Sequence, residues 1–214
     1  MQIIRFADLK PQPWRNGGGV TRELASRSGG ASAGTAASED GAWDWRVSIA
    51  DVTSAGEYSP FPGMERVLTV VEGDLLLLAV DGAEHPLEKY RPFRFPGGAA
   101  SSSALPTGNV RNLNVIAREG AFKAYTSIIE LSKKRAHPVF EGQLGILLQG
   151  QATVGPGRAA GPGSAGADAE SGAGPDSTPV LLGRYDAVVG SDSQPPEILG
   201  RGFLAVVSID PVTG

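Results

Sequence analysis

The run from Trp43 to Gly73, WDWRVSIADVTSAGEYSPFPGMERVLTVVEG, constrains the fold more than any other stretch, because its residues alternate as in a sheet and its turns are spelled out. Val47, Ile49 and Val52 occupy strand positions before a turn at Ser54-Ala55-Gly56. A Pro60-Phe61-Pro62-Gly63 corner then leads into the apolar run Val67 to Val71. That run stops at Glu72-Gly73-Asp74 and restarts as Leu75 to Val80, which predicts a β-hairpin. The pattern recurs. Ala136 to Val154 places Gly150 where Gly73 stands, sets Leu144, Ile146, Leu147 and Leu148 over the earlier apolar run, and matches Gln143 to Arg66. Leu87 to Phe93 likewise resembles Leu182 to Val188, once most of the Gly-, Ala-, Pro- and Ser-rich segment 155–179 is set aside. The chain is expected to hold two copies of one β module, 1–119 and 120–214, with 155–179 as a low-complexity loop insert in the second.

Composition agrees. Over 214 residues, 41% hydrophobic content can fill a core, and the apolar residues come in short runs between Gly and Pro with almost no amphipathic helix pattern, so the chain reads as all-β. Cys is absent, which excludes disulfides, thiolate metal sites and a Cys nucleophile and suits a reducing compartment. No run reaches the roughly 20 apolar residues of a membrane span, and MQIIRFADLK lacks the apolar centre of a secretory signal. The formal charge is -4 and Lys133-Lys134-Arg135 is the one basic cluster. The expectation is a cytoplasmic protein with neither membrane nor nucleic acid as partner.

Three glycines, Gly17-Gly18-Gly19, follow Trp14-Arg15-Asn16. Neither Gly-Lys-Ser/Thr nor G-x-G-x-x-G is present, so they do not make a phosphate loop. They mark either a tight corner or a close approach of backbone to a ligand.

The blocks Trp14 to Glu23 (WRNGGGVTRE), Trp45 to Ala50 (WRVSIA) and Phe61 to Leu68 (FPGMERVL) resemble the signatures of the HutD/Ves family, and the resemblance spans almost the whole chain. It implies a bicupin, two β-barrel or jelly-roll modules in one chain. It also implies a regulatory link to histidine catabolism in which a pathway metabolite is sensed or buffered without turnover. Gly98 and Asn112 depart from the family pattern, each replacing an acid. Cupins that hold a metal converge two His and a Glu on one ion. Anchored on Gly73, the Glu position falls on Arg66 and the His positions fall among Ser59, Pro60, Phe61 and Pro62. The second module offers Gln143 and His137, and His85 is the chain's one other histidine. No metal and no cofactor are expected.

Arg66 is therefore the leading candidate for ligand contact, since its planar fork of five donors suits a carboxylate. Trp14, Trp45 and Phe61 can supply an apolar wall, and Arg15, Asn16, Arg22, Glu23 and Arg46 lie in the same blocks. Bland alternatives stand beside each: Arg66 paired with Glu23, Glu65 or Glu72 on a rim, the aromatic residues as plain core, and His85 as a solvent-facing hairpin residue. The functional expectation is metal-free binding of a small carboxylate metabolite, urocanate or an N-formylglutamate-like ligand, with no catalytic residue assigned. The alternative is a cupin isomerase or hydrolase with Glu23 or Glu65 as general base. A third is a partner-binding protein that pairs edge strands in a homodimer.

Overall fold

A computed structural model describes residues 1–28, 43–157 and 178–212, so most of the insert expected over 155–179 lies outside the described residues. Among the described residues the chain is all-β apart from one 3-10 turn, Phe6–Asp8. No helix among the described residues is long and apolar enough to cross a membrane. Two compact units can be distinguished. One comprises Phe6–Ile128 with Val207–Gly214, the other Met1–Arg5 with Ile129–Val206. A boundary at 119/120 falls within the first, in the turn between the strands Val110–Arg118 and Phe122–Leu131.

The first unit contains a six-stranded sheet in the order Gln12–Pro13, Gly19–Ser28, Trp43–Val52, Val110–Arg118, Met64–Glu72 and Phe93–Pro96, antiparallel throughout. A four-stranded sheet runs Gly56–Glu57, Ser101–Ala104, Leu75–Val80, Ala83–Glu88. Alternation turns Val52, Leu68, Val70 and Val110 of the larger sheet and Leu76, Leu78 and Leu87 of the smaller into one buried cluster. In the second unit the strands run in the order Gln2–Ile4, Ala187–Val189, Gln143–Pro156 and then the part of Pro196–Pro211 up to Val206. The strand Gln2–Ile4 is held by antiparallel pairing that sets Ile3 opposite Val188. Its core gathers Val139, Leu147, Val154, Leu182, Ile198 and Leu204. Among the described residues every sheet is an open path, and none closes into the barrel expected of each module.

The hairpin expected across Glu72-Gly73-Asp74 is also corrected. Met64–Glu72 belongs to the six-stranded sheet and Leu75–Val80 to the four-stranded one, so this turn is a corner between sheets. The true hairpin is Leu75–Val80 with Ala83–Glu88. Its two turn residues, Asp81 (φ 48) and Gly82 (φ 84), take the double positive-φ geometry that favours Asp-Gly.

The sequence echo has a local structural counterpart in the two units. Tyr90 and Tyr185 both sit at φ 67. The Tyr90 amide donates to Val70 O at 2.8 Å, and the Tyr185 amide donates to Leu147 O at 2.6 Å. Gly97 donates to Met64 O at 2.7 Å, and Gly190 donates to Gln143 O at 2.9 Å. These last bonds match Gln143 to Met64 instead of Arg66. The strand Met64–Glu72 therefore differs by two positions from its counterpart between the two anchors.

Candidate functional site

A cavity of about 970 Å³ opens on one face of the six-stranded sheet, at the upper end of the roughly 300 to 1,000 Å³ typical of small-molecule sites. Alternation decides what each strand presents. Gly19–Ser28 contributes Thr21 and Glu23, Trp43–Val52 contributes Arg46 and Ser48, Val110–Arg118 contributes Asn114 and Ile116, and Met64–Glu72 contributes Arg66. Cross-strand register sets Arg66, Ile116 and Arg46 in one row and Asn114, Ser48 and Glu23 in the next. The walls come from two loops, one carrying Trp14, Arg15 and Asn16, the other running from Glu57 to Phe61.

Arg66 is 3% exposed. Its Cζ lies 5.1 Å from the ring centroid of Phe95, 5.2 Å from Tyr58 and 5.5 Å from Phe61, so three aromatic side chains cage the guanidinium. Nη2 donates to Asn114 Oδ1 at 3.4 Å. Nε and Nη1 are buried with no partner, and no carboxylate lies within ion-pairing distance, among the described residues. The three acids that a rim pairing requires are all engaged elsewhere: Glu23 with Arg46, Glu65 with Arg94, Glu72 with Arg111. The rim salt bridge is thus overturned. Burial pushes the Arg66 guanidinium down to about 10, opposed by the charge interaction with Tyr58. Burial also pushes the Tyr58 phenol up, against hydrogen bonds with Ser103 and Asn112 and the Arg66 charge. At neutral pH the site holds a desolvated cation beside a neutral phenol.

Of the residues singled out from sequence, Trp14, Asn16, Glu23, Arg46, Phe61 and Arg66 all line this cavity, with Arg15. Arg22 does not. It occupies the other face of its strand, where Nη1 meets Asp51 Oδ2 at 3.1 Å and the guanidinium lies over Phe6 at 5.2 Å. Strict period-2 alternation with Thr21 and Glu23 requires that outcome. Trp45 alternates with the cavity-facing Arg46 and so is off the wall; Trp43 takes a place there because the register against Arg27 and Ser28 skips Asp44 and this bulge reverses the phase of the strand. Glu65 faces away from the cavity and pairs with Arg94, which removes it as a base for chemistry there. Arg46 Nε lies 2.9 Å from Glu23 Oε2 but without hydrogen-bond geometry, and its guanidinium stacks over Trp43 at 4.7 Å. His85 stacks on Phe93 at 4.5 Å, away from the cavity. His137 belongs to the second unit, where burial and the Arg135 charge lower its pKa. Among the described residues no cluster of His, Cys, Asp or Glu is placed to hold a metal ion.

Sequence reasoning missed Tyr58, Ser48 and Asn114. Asn114 carried a readable signal, since Asn112, Asn114 and Ile116 alternate along one strand; Tyr58 sits in an irregular segment and carried none.

The glycine run resolves as a corner. Gly17 takes φ 71, its amide donates to Trp14 O at 3.0 Å, and Trp14 N donates to Gly19 O at 2.9 Å. None of the three lines the cavity. A Cβ on Gly19 would stand 2.5 Å from Asp51 O and 3.0 Å from the Trp14 ring. Gly19→Ala is expected to push its strand away from the Asp51 carbonyl as well as displace Trp14, and to cost at least about 1 to 3 kcal/mol, the usual range for overpacking. Thermal unfolding checks this, and an unchanged melting temperature would show that the corner yields freely.

The sequence model of the HutD family matches residues 6–196. An uncharacterised 21.2 kDa protein in the hutC 3′ region of Pseudomonas putida is 36% identical over 125 residues, 58% of this chain and 62% of that protein. Protein Ves of Citrobacter koseri is 33% identical over 132 residues, 59% of this chain and 64% of that protein. The matched segment thus spans less than two thirds of either relative. Among solved structures, HutD from Pseudomonas fluorescens superposes with a TM-score of 0.69 at 26% identity, covering 99% of both chains. A Cupin 2 conserved barrel domain protein from Leptotrichia buccalis gives a TM-score of 0.55 at 8% identity, covering 99% of this chain and 96% of that one, a likeness of fold alone.

Proposed function

The chain belongs to the HutD family, and from that premise we propose that the cavity around Arg66 binds a small carboxylate metabolite without metal and without turnover. The observation that carries this reading is the buried guanidinium with two nitrogens unpartnered. A desolvated cation without a counter-ion is costly, and an incoming carboxylate supplies both the missing charge and the missing acceptors. Glu23 is held against Arg46, and Glu65 lies outside the cavity, so neither supports the alternative of a general base. The hutC-region relative supports a link to histidine utilisation. We therefore place the ligand among intermediates of histidine breakdown, urocanate or an N-formylglutamate-like compound. We further read the two units as copies of one cupin-like module, supported by the matching Tyr90 and Tyr185 conformations and the matching Gly97 and Gly190 bonds.

A thermal-shift screen with these metabolites tests the reading. A ligand held by the folded state alone raises stability by about 2.7 kcal/mol at 100-fold over Kd; no shift at millimolar concentration would sink it. Affinity for N-formylglutamate is expected to stay level from pH 6 to 9, because Arg66 remains charged until about 10 while carboxylates ionise near pH 4. A step near pH 6.5, measured by calorimetric titration, would instead implicate a histidine.

The cavity's chemistry also bears on metals. A guanidinium fixed at its base repels a divalent cation, so elemental analysis of the purified protein is expected to find no stoichiometric transition metal. One equivalent per chain would require a different account of Arg66.

A further inference from the structure

We propose that Asn114 sets the charge of the ligand: by giving Arg66 a neutral acceptor where a counter-ion could stand, it makes the cavity select a carboxylate over the matching amide. The inference rests on the carboxylate-binding reading above.

Asn114 stands diagonally across the sheet from Arg66, two residues from Ile116, which pairs directly with Arg66. Side chains in this relation point to the same face and come within reach of one another. Its Oδ1 accepts from Arg66 Nη2 at 3.4 Å, a long contact that takes one of the five guanidinium N–H groups. Nε and Nη1 are buried without a partner among the described residues, so a carboxylate admitted beside Arg66 would find the second Nη2 hydrogen and one of these nitrogens unclaimed for a fork. The residue two positions further along the same face, Asn112, is also an amide and is 1% exposed, with Nδ2 3.5 Å from the Tyr58 hydroxyl. This face of Val110–Arg118 therefore brings polar groups to the buried cation without bringing negative charge.

The opposite face of the same strand is built differently. There Arg111 is directly opposite Asp51, forms ion pairs with both Asp51 and Glu72, and Asp51 also holds Arg22. One strand thus carries an arginine met by acids on one side and amides that leave an arginine without a counter-ion on the other. An aspartate in place of Asn114 would have nearly the same shape and would sit at hydrogen-bonding distance from Arg66. It would fill the fork from within and compete with every anionic ligand. Selectivity would then shift toward neutral ligands, which such an internal acid does not repel.

Calorimetric titration of urocanate, its primary amide and N-formylglutamate against wild type, Asn114→Asp and Asn114→Leu tests this. Wild type is expected to prefer urocanate over its amide. Asn114→Asp is expected to lose carboxylate affinity on the order of 100-fold while its affinity for the amide changes far less, so the preference collapses or inverts. Asn114→Leu removes the hydrogen bond without adding charge, so it should keep the preference even with weaker binding. Equal urocanate affinity in wild type and Asn114→Asp would overturn the role of Asn114. So would loss of the preference in Asn114→Leu, which remains decisive if Asn114→Asp does not fold. If neither urocanate nor N-formylglutamate binds wild type, the carboxylate site itself falls, and that failure is distinct from the other two.

Discussion

Arg66→Ala is expected to weaken carboxylate binding by about 10- to 100-fold, since hydrogen bonds to a charged group contribute roughly 1.5 to 3 kcal/mol. Arg66→Lys should also weaken it, because an ammonium keeps the charge but cannot fork. The companion effect on stability runs the other way. Removing one partner of a buried ion pair typically costs about 3 to 5 kcal/mol, whereas replacing buried charge by an apolar side chain of similar volume is often neutral or stabilising by about 1 to 4 kcal/mol. Arg66 has no paired acid among the described residues, although its contacts with Tyr58, Phe61 and Phe95 offset part of its desolvation. Arg66→Met is therefore expected to leave the melting temperature level or higher while binding is lost. A large drop in melting temperature would mean that Arg66 holds the fold together and that its unpartnered nitrogens are incidental. Titration and thermal unfolding of the same three variants separate the two roles.

Gly190→Ala is expected to be strongly destabilising in the second unit. A Cβ there would stand 1.7 Å from Phe140 O and 3.1 Å from Gln143 O, while the Gly190 amide donates to Gln143 O at 2.9 Å. Backbone carbonyls cannot rotate away as a side chain can, so the strand must move and that bond must break. A loss of about 4 kcal/mol or more belongs to this class of backbone conflict, which corresponds to a fall of roughly 8 to 16 °C for a chain of this size. Gly97, the counterpart in the first unit, meets Met64 O at 2.7 Å and Phe61 O at 2.9 Å, so Gly97→Ala should be destabilising but less so. Differential scanning calorimetry of both variants checks the order. A tolerated Gly190→Ala would show that the turn at Phe140 to Gln143 can open without cost.

The parts of the site legible from sequence were those carried by strand alternation and by local chemistry. Arg66, Glu23, Arg46 and Phe61 fall in short blocks whose phase and composition point to one face, and the structure brings them to one cavity. Period-2 alternation also held the correction for Arg22, which must oppose Thr21 and Glu23. What sequence alone did not yield was non-local or depended on a single extra residue. Asp44 bulges out of register and brings Trp43 to the cavity face, and one residue is enough to turn a strand over. Tyr58 reaches the cage around Arg66 from an irregular segment with no periodicity to read. The turn at Gly73 has hairpin chemistry yet joins two different sheets, because the apolar runs on both sides of it are equally suited to pairing with other strands. The Asp81-Gly82 turn was the better hairpin signal and lay only a few residues downstream.

A crystal structure of the protein with urocanate or N-formylglutamate at saturating concentration tests the central claim most directly. The account predicts the ligand carboxylate in the cavity, its oxygens about 2.7 to 3.2 Å from Arg66 Nη2 and from Nε or Nη1, with Asn114 still on Nη2. A ligand seated elsewhere, with Nε and Nη1 of Arg66 still unpartnered, would contradict it.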